Sequence, residues 1–281
     1  MRSACSAIAL ALFVVSCGGE VTSGEKPNDA GTQTDTSTDT FDVASLPGLV
    51  LWLDASQGVM MDGAGVHAMT WADQSSEHDD LKLIRGLGAT LDGAPLGSSP
   101  TLRFDGATAY QIAASPLLAD WSGDFLIEIA LHVDISNPQN QGFFSCFGDP
   151  PPPPGFTLVD SYITKGQTAA CDISGGGFTD SASTHPVVNI GGYLVGFRRV
   201  GSQYEARRNG NVDATVTVTH VTMPKCTTSY FGALSNDATT TLNGFSSSEI
   251  AEVIVVKNTV SDDVVEKLET SLRDKFDLPD F

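Results

Sequence analysis

The sequence predicts an all-β domain, an antiparallel sandwich or barrel closed by one short C-terminal α-helix, over most of its 281 residues. Three observations predict it. Between Asp124 and Asp134, Phe125, Ile127, Ile129, Leu131 and Val133 alternate with Leu126, Glu128, Ala130, His132 and Asp134. A period of two sends the first set to a core face and the second outward. Similar short runs recur at 49–53, 101–104, 142–147, 156–164, 193–200, 203–208, 214–220 and 249–256, separated by Gly, Asn, Asp and Pro; many short strands with regular turn signals indicate a sandwich or barrel rather than an α/β fold. Asn209-Gly210 lies between two of these runs and favours a hairpin, because both residues tolerate positive φ.

The helix is read at the C-terminus. Ser261 is placed to cap it, and Asp262 and Asp263 follow where the helix dipole favours negative charge. Val264, Val265, Leu268, Leu272 and Phe276 form one apolar stripe, with Asp263–Lys267 and Glu269–Arg273 at i,i+4 on the helix surface. The stripe is expected to pack on the sandwich.

The first 45 residues differ from the rest. Arg2 precedes the apolar run Ala7 to Val15, nine residues long, too short to cross about 30 Å of hydrocarbon and suited to the core of a secretory signal. Val14-Val15-Ser16-Cys17-Gly18 then resembles the lipobox of bacterial lipoproteins, which implies lipid attachment at Cys17 and cleavage before it; Gly18 favours the outer membrane over the inner one. Residues 18–45 hold Thr22, Thr32, Thr34, Thr36, Thr38 and Thr40, six acidic residues, one lysine and a single aromatic, Phe41. Such a composition buries too little apolar surface to offset ordering entropy, so it reads as a disordered tether reaching roughly 30 Å. The expected organisation is therefore a signal at 1–17, a tether at 18–45 and a folded domain at 46–281.

A formal net charge of −19 argues against nucleic acid as a partner, since no basic patch is available to neutralise phosphates. Cys5 and Cys17 belong to the leader. Cys146, Cys171 and Cys226 match no zinc spacing and allow one disulfide and one buried thiol, with the pairing open.

Five segments in order carry a family resemblance. Leu46-Pro-Gly-Leu-Val-Leu-Trp-Leu-Asp-Ala55, Thr70-Trp-Ala-Asp-Gln-Ser-Ser76, Thr101-Leu-Arg-Phe-Asp-Gly106, Tyr193-Leu-Val-Gly-Phe-Arg-Arg199 with Arg208-Asn-Gly210, and Glu249-Ile-Ala-Glu-Val-Ile-Val-Val256 with the helix after it resemble the concanavalin A-like, laminin-G-like domains of bacterial surface proteins. The resemblance implies a two-sheet antiparallel jelly roll, commonly a glycan- or protein-binding module, and names no ligand. The five consecutive prolines at 150–154 depart from the pattern and read as a stiff exposed loop.

No motif for catalysis emerges. Gly-x-Ser-x-Gly is absent, Gly86-Leu-Gly88 lacks the third glycine of a dinucleotide loop, and the histidines at 67, 78, 132, 185 and 220 form no i,i+4 pair. A retaining glycosidase needs two carboxyls about 5–5.5 Å apart. The one Glu-x-Asp, Glu77-His78-Asp79, has Lys82 where a further Glu would fall, and Glu249 and Glu252, three apart, are expected on opposite faces of their strand. The loop Asp73 to Asp80 offers oxygen ligands of the kind calcium takes but lacks an EF-hand pattern. Trp121, Tyr162 and Tyr204 read as exposed aromatics, Trp52 and Trp71 as core, and His132 as facing solvent or a polar neighbour. The function expected is a non-enzymatic, lipid-anchored surface module binding glycan or protein. The alternatives are a structural envelope lipoprotein and a carbohydrate-active enzyme of the jelly-roll fold.

Overall fold

The computed structural model describes residues 41–112, 115–133, 140–148, 157–163, 168–175, 178–186, 192–218, 226–235 and 241–279. Cys17, the tether through Thr40, the proline run and His220 lie outside the described residues. The chain divides at Asp39/Thr40, and the unit from Thr40 to Phe281 is the folded domain. That unit takes in Phe41 to Ser45, read from sequence as tether: Val43 is buried, and Asp42 caps a single 3-10 turn, Val43–Ser45, by accepting from the Ala44 amide.

In chain order the strands begin with β1 (Leu49–Asp54), β2 (Val59–Met61), β3 (Ala68–Trp71), β4 (Leu81–Arg85), β5 (Thr90–Leu96), β6 (Ser99–Arg103) and β7 (Ala109–Ile112). After the short helix α1 (Pro116–Ala119) come β8 (Phe125–His132), β9 (Gln141–Gly148), β10 (Thr157–Ile163), β11 (Thr168–Gly175), β12 (Phe178–Pro186), β13 (Gly192–Val200), β14 (Gln203–Arg208) and β15 (Asn211–Thr217). The chain closes with β16 (Cys226–Phe231), β17 (Leu234–Ser235), β18 (Leu242–Asn243), β19 (Glu249–Lys257) and the helix α2 (Asp262–Phe276). Two large antiparallel sheets result, one ordered β15-β14-β13-β8-β19-β6-β5 with β1 also on β19, the other β12-β11-β10-β9-β16-β7-β4-β3-β2. They form a sandwich, as the alternating pattern predicts, and its two antiparallel sheets make the jelly roll that the family resemblance implies. Asn209 (φ 46) and Gly210 (φ 84) make the turn from β14 to β15 with the two positive φ values that this pair tolerates.

The main core lies between the sheets. Phe125, Ile127, Ile129 and Leu131 of β8 meet Trp71, Leu81, Tyr110, Phe144 and Phe231 from the facing sheet. Trp71 packs edge-on to Phe231, with ring centroids 6.0 Å apart, and its Nε1 donates to the Asp54 carbonyl at 3.1 Å. Tyr110 ties β3 to the residue before β5, donating to the Ala68 carbonyl and accepting from the Ala89 amide, and burial pushes its phenol up to about 12. Cys146 and Cys226 are joined as a disulfide between adjacent strands, while Cys171 stays a buried thiol.

The second face of β8 is not outward. Helix α2 lies on it, so Leu126 and Ala130, with Leu194, Ile254 and Val256, form a second core against Val265, Leu268, Leu272 and Phe276. An alternating strand can hide both faces when a helix covers its outer side, and periodicity alone cannot reveal the cover. Glu128, read as outward, is consequently 1% exposed. Glu269, read as a surface residue of the helix, turns in to meet Arg207. His132, at the end of the strand, is half-buried opposite Glu249.

Candidate functional site

Asp73 organises the region where β1 begins and β19 ends. Its Oδ1 accepts from the amides of Trp52 (2.8 Å) and Ser75 (2.9 Å), and its Oδ2 from Ser75 Oγ (2.6 Å) and the Asp79 amide (2.9 Å). The Trp-x-Asp-x-Ser segment thus folds the following loop back onto β1. Four donors thus occupy the two carboxylate oxygens, and among the described residues no group of three or more His, Cys, Asp or Glu is placed to hold a metal ion. Asp79, buried under the loop, has its carboxyl pushed up by burial, with the nearby carboxylates of Asp73, Glu77 and Asp80 adding to the effect against a hydrogen bond from Ser115.

The loop forms one wall of a cleft of about 610 Å³. Leu46, Leu49 and Leu117 of α1 supply apolar surface, and Gln74, Ser76, Glu77, His78 and Asn258 supply hydrogen-bonding groups. Ser76, Glu77, His78 and Asn258 are exposed. Among the described residues four non-glycines have positive φ: His78 (56°), Asn209, Asn258 (84°) and Asp277. Asn209 makes a hairpin and Asp277 ends α2 in the left-handed region. The other two both line the cleft, and backbone held in sparsely populated regions concentrates at functional sites.

Lys257 also lines the cleft. Its Nζ donates to the Asp120 carbonyl at 2.9 Å and stands 3.0 Å over the centre of the Trp121 ring and 5.7 Å from that of Phe125. Burial holds this amine well below the ordinary lysine range, with Asp120 opposing the shift. Sequence reasoning gave no sign of it, because nothing in the sequence aims a strand-end lysine inward.

Two of the three aromatic residues read as exposed are placed otherwise. Trp121 and Tyr204 are fully buried: Trp121 Nε1 donates to the Leu118 carbonyl and Tyr204 Oη to that of Cys171. Tyr162 is on β10, and its side chain lies outside the described residues. Trp71 is core, as expected, whereas Trp52 is half-buried under α2 with Nε1 donating to Glu252 at 2.6 Å.

Glu249 and Glu252 also differ from the sequence reading. A bulge between Ile250 and Glu252 inserts one residue, so Glu249, opposite His132, and Glu252, opposite Ala130, share the face that α2 covers. Each is tied to a cation: Glu252 to Lys275 (2.6 Å) and Glu249 to Arg103 (3.7 Å).

No protein-family model matches the chain, and no curated protein matches it. Solved structures do. The binding domain of botulinum neurotoxin DC in complex with SialylT superposes with a TM-score of 0.55 and 11% identity, over 80% of this chain and 52% of that one. Trypanosoma rangeli sialidase in complex with sialic acid gives 0.54 and 12% identity, over 82% of this chain and 36% of that one. The Ruminococcus gnavus IT-sialidase CBM40 bound to alpha2,3 sialyllactose gives 0.51 and 16% identity, over 60% of this chain and 96% of that one. The chain thus spans about a third to a half of the toxin and sialidase chains. At such identities the likeness shows the fold, and the class it defines is the jelly-roll β-sandwich.

Proposed function

We propose that this chain is a non-enzymatic surface lipoprotein of the concanavalin A-like, laminin-G-like kind, anchored through Cys17 in the outer membrane, whose domain binds glycans in the cleft without a metal. The observation that carries this reading is the make-up of the cleft: aliphatic surface from Leu46, Leu49 and Leu117 beside the polar groups of Ser76, Glu77, His78 and Asn258. A sugar ring offers C–H faces edged with hydroxyls, and the two kinds of lining match the two kinds of surface. The size falls within the range of about 300–1,000 Å³ usual for small-molecule sites. The superposed structures in complex with SialylT, sialic acid and alpha2,3 sialyllactose add support at the level of fold. The cations bound to Glu249 and Glu252 favour a non-catalytic role for that pair.

The test is binding of the full chain to a broad glycan panel, with calcium and with chelator, beside the His78→Ala and Asn258→Ala variants. Saturable binding that both variants weaken, equal with and without chelator, is expected. Binding that ignores both variants would remove the cleft from the reading, loss with chelator would restore a metal, and no binding would leave a structural envelope role. The anchor is tested by Cys17→Ser, which should abolish lipid labelling and release the protein from the membrane fraction.

A further inference from the structure

Net charge hides a local exception. Most described lysines and arginines are held by a carboxylate or a backbone carbonyl, as Arg103, Arg198, Arg207, Arg208 and Lys275 are by carboxylates. Lys82, Arg85 and, on α2, Lys267 meet no carboxylate among the described residues. Lys82 and Arg85 are exposed and belong to the same strand, β4. A bulge between Leu83 and Arg85 shifts the register so that Arg85 lies opposite Ala109, while Lys82 lies opposite Gln111. Ala109 packs with Tyr230 and Phe245 on the outer side of the nine-stranded sheet, away from the main core. Both cations therefore share that outer face. Without the bulge, three-residue spacing would place them on opposite sides.

Arg85 is also pre-set. Its guanidinium carbon lies 4.8 Å over the centroid of the half-buried Phe245 ring. The cation–π contact restricts the guanidinium, and its N–H groups can take a planar or trigonal anion through two parallel hydrogen bonds. Thr70 and Gln111 stand opposite Lys82 on either side. They add neutral hydrogen-bonding groups one strand spacing away, about 5 Å.

We propose that Lys82 and Arg85 with Phe245 form a second binding surface, separate from the cleft, that recognises short carboxylated or sulfated oligosaccharides. Arg85 takes the acidic group, Lys82 adds charge, and Thr70 and Gln111 take hydroxyls. The formal charge of −19 disfavours long polyanions and leaves a short acidic sugar as the matching ligand.

The experiment measures calorimetric binding of the full chain to three tetrasaccharides: an oligogalacturonate, a sulfated galactan fragment and its uncharged parent. At least one acidic sugar should bind, more weakly as salt rises, and the uncharged one should not. The double variant Lys82→Gln/Arg85→Gln should weaken that binding by roughly ten- to a hundred-fold. Arg85→Lys should lose part of it, because charge remains but the fork is gone. Lys267→Gln, a single-charge change on α2, should have no effect. Both β4 side chains are exposed, and an unchanged melting temperature confirms folding. The proposal is overturned if no acidic sugar binds, if the uncharged sugar binds equally, if the double variant binds as before, or if Lys267→Gln weakens binding as much as the double variant.

Discussion

Arg207 grips Glu269 with two parallel hydrogen bonds, Nε to Oε1 at 2.6 Å and Nη2 to Oε2 at 2.8 Å, across the interface between β14 and α2. The pair is buried and fastens the helix near its middle. Lys275, bound to Asp54 and Glu252, fastens its last turn, and Arg198, on Asp262, its first. Removing Glu269 leaves the buried Arg207 with Glu205, at 3.0 Å, as its remaining ion-pair partner. Glu269→Ala should therefore cost about 1.5–3 kcal/mol in denaturant unfolding, while the double change Arg207→Met/Glu269→Leu should recover most of it.

Glu128 makes stability depend on pH. Burial, reinforced by the Glu269 carboxylate, pushes its carboxyl well above the ordinary 4.5, although Arg207 opposes the shift. Its oxygens have no donor partner, and the neutral acid can donate to Glu269. The folded protein thus holds a proton that the unfolded chain releases above about pH 4.5. From that pH upward to the raised value, stability from this group falls as pH rises. Glu128→Gln keeps the shape and the donor, so it should raise the melting temperature at pH 7–8 by the equivalent of about 1–3 kcal/mol and flatten the decline. An unchanged profile would count against a protonated Glu128.

The same carboxyl depends on Gly196. An added Cβ there would collide with Glu128 Oε1 and lie 2.8 Å from Oε2. Gly196 faces Glu128 on β8 and Arg207 on β14. Gly196→Ala should destabilise by about 1–3 kcal/mol, and the loss should shrink in a Glu128→Ala background, as a double-mutant cycle would show.

The Cys146–Cys226 bridge closes a loop of 80 residues. Constraint of the unfolded chain predicts that Cys226→Ser loses about 4 kcal/mol. Calorimetry of the variant, and of the wild type under reductant, should give the same fall.

His78 tests the backbone at the cleft. With φ at 56°, a β-branched side chain should be costly there and glycine tolerated. His78→Val should lose about 1–2 kcal/mol and His78→Gly little. Both should weaken glycan binding if the imidazole itself contacts the sugar.

Much of this architecture was legible in the sequence. The alternation in β8, the Asn209-Gly210 turn and the apolar stripe of α2 each report a local period or a local φ requirement, and local rules survive folding. The strands at 59–61, 68–71, 81–85, 90–96, 109–112, 168–175, 178–186 and 226–231 give no clear signal in the sequence, being short or rich in Ser, Thr, Ala and Gly rather than in alternating apolar residues. The burial of Glu128 and Glu269 could not be read, because it depends on α2 covering a strand more than 100 residues earlier. Nor could the common face of Glu249 and Glu252, since a bulge leaves no pattern in residue type. At the cleft, Asp73 to Asp80 reads in sequence as a cluster of acids, and the folded chain turns Asp73 into an acceptor of three amides and a hydroxyl. Trp121 looked polar in its setting, yet its ring lies beneath Lys257, a contact that only the tertiary fold creates.

The pairing of β1 with β19 has a kinetic consequence. Trp52 stands opposite Ile254, and its indole reaches Glu252 across a separation of 200 residues. β19 is also the strand that joins β8 to β6 at the centre of its sheet. A chain emerging from its N-terminus therefore makes the central strand almost last, and until then β1, β6 and β8 lack the neighbour that unites them. Contacts of such long range make acquisition of the native state slow, so this sandwich is assembled when β19 takes its place between β8 and β6 rather than grown strand by strand from β1.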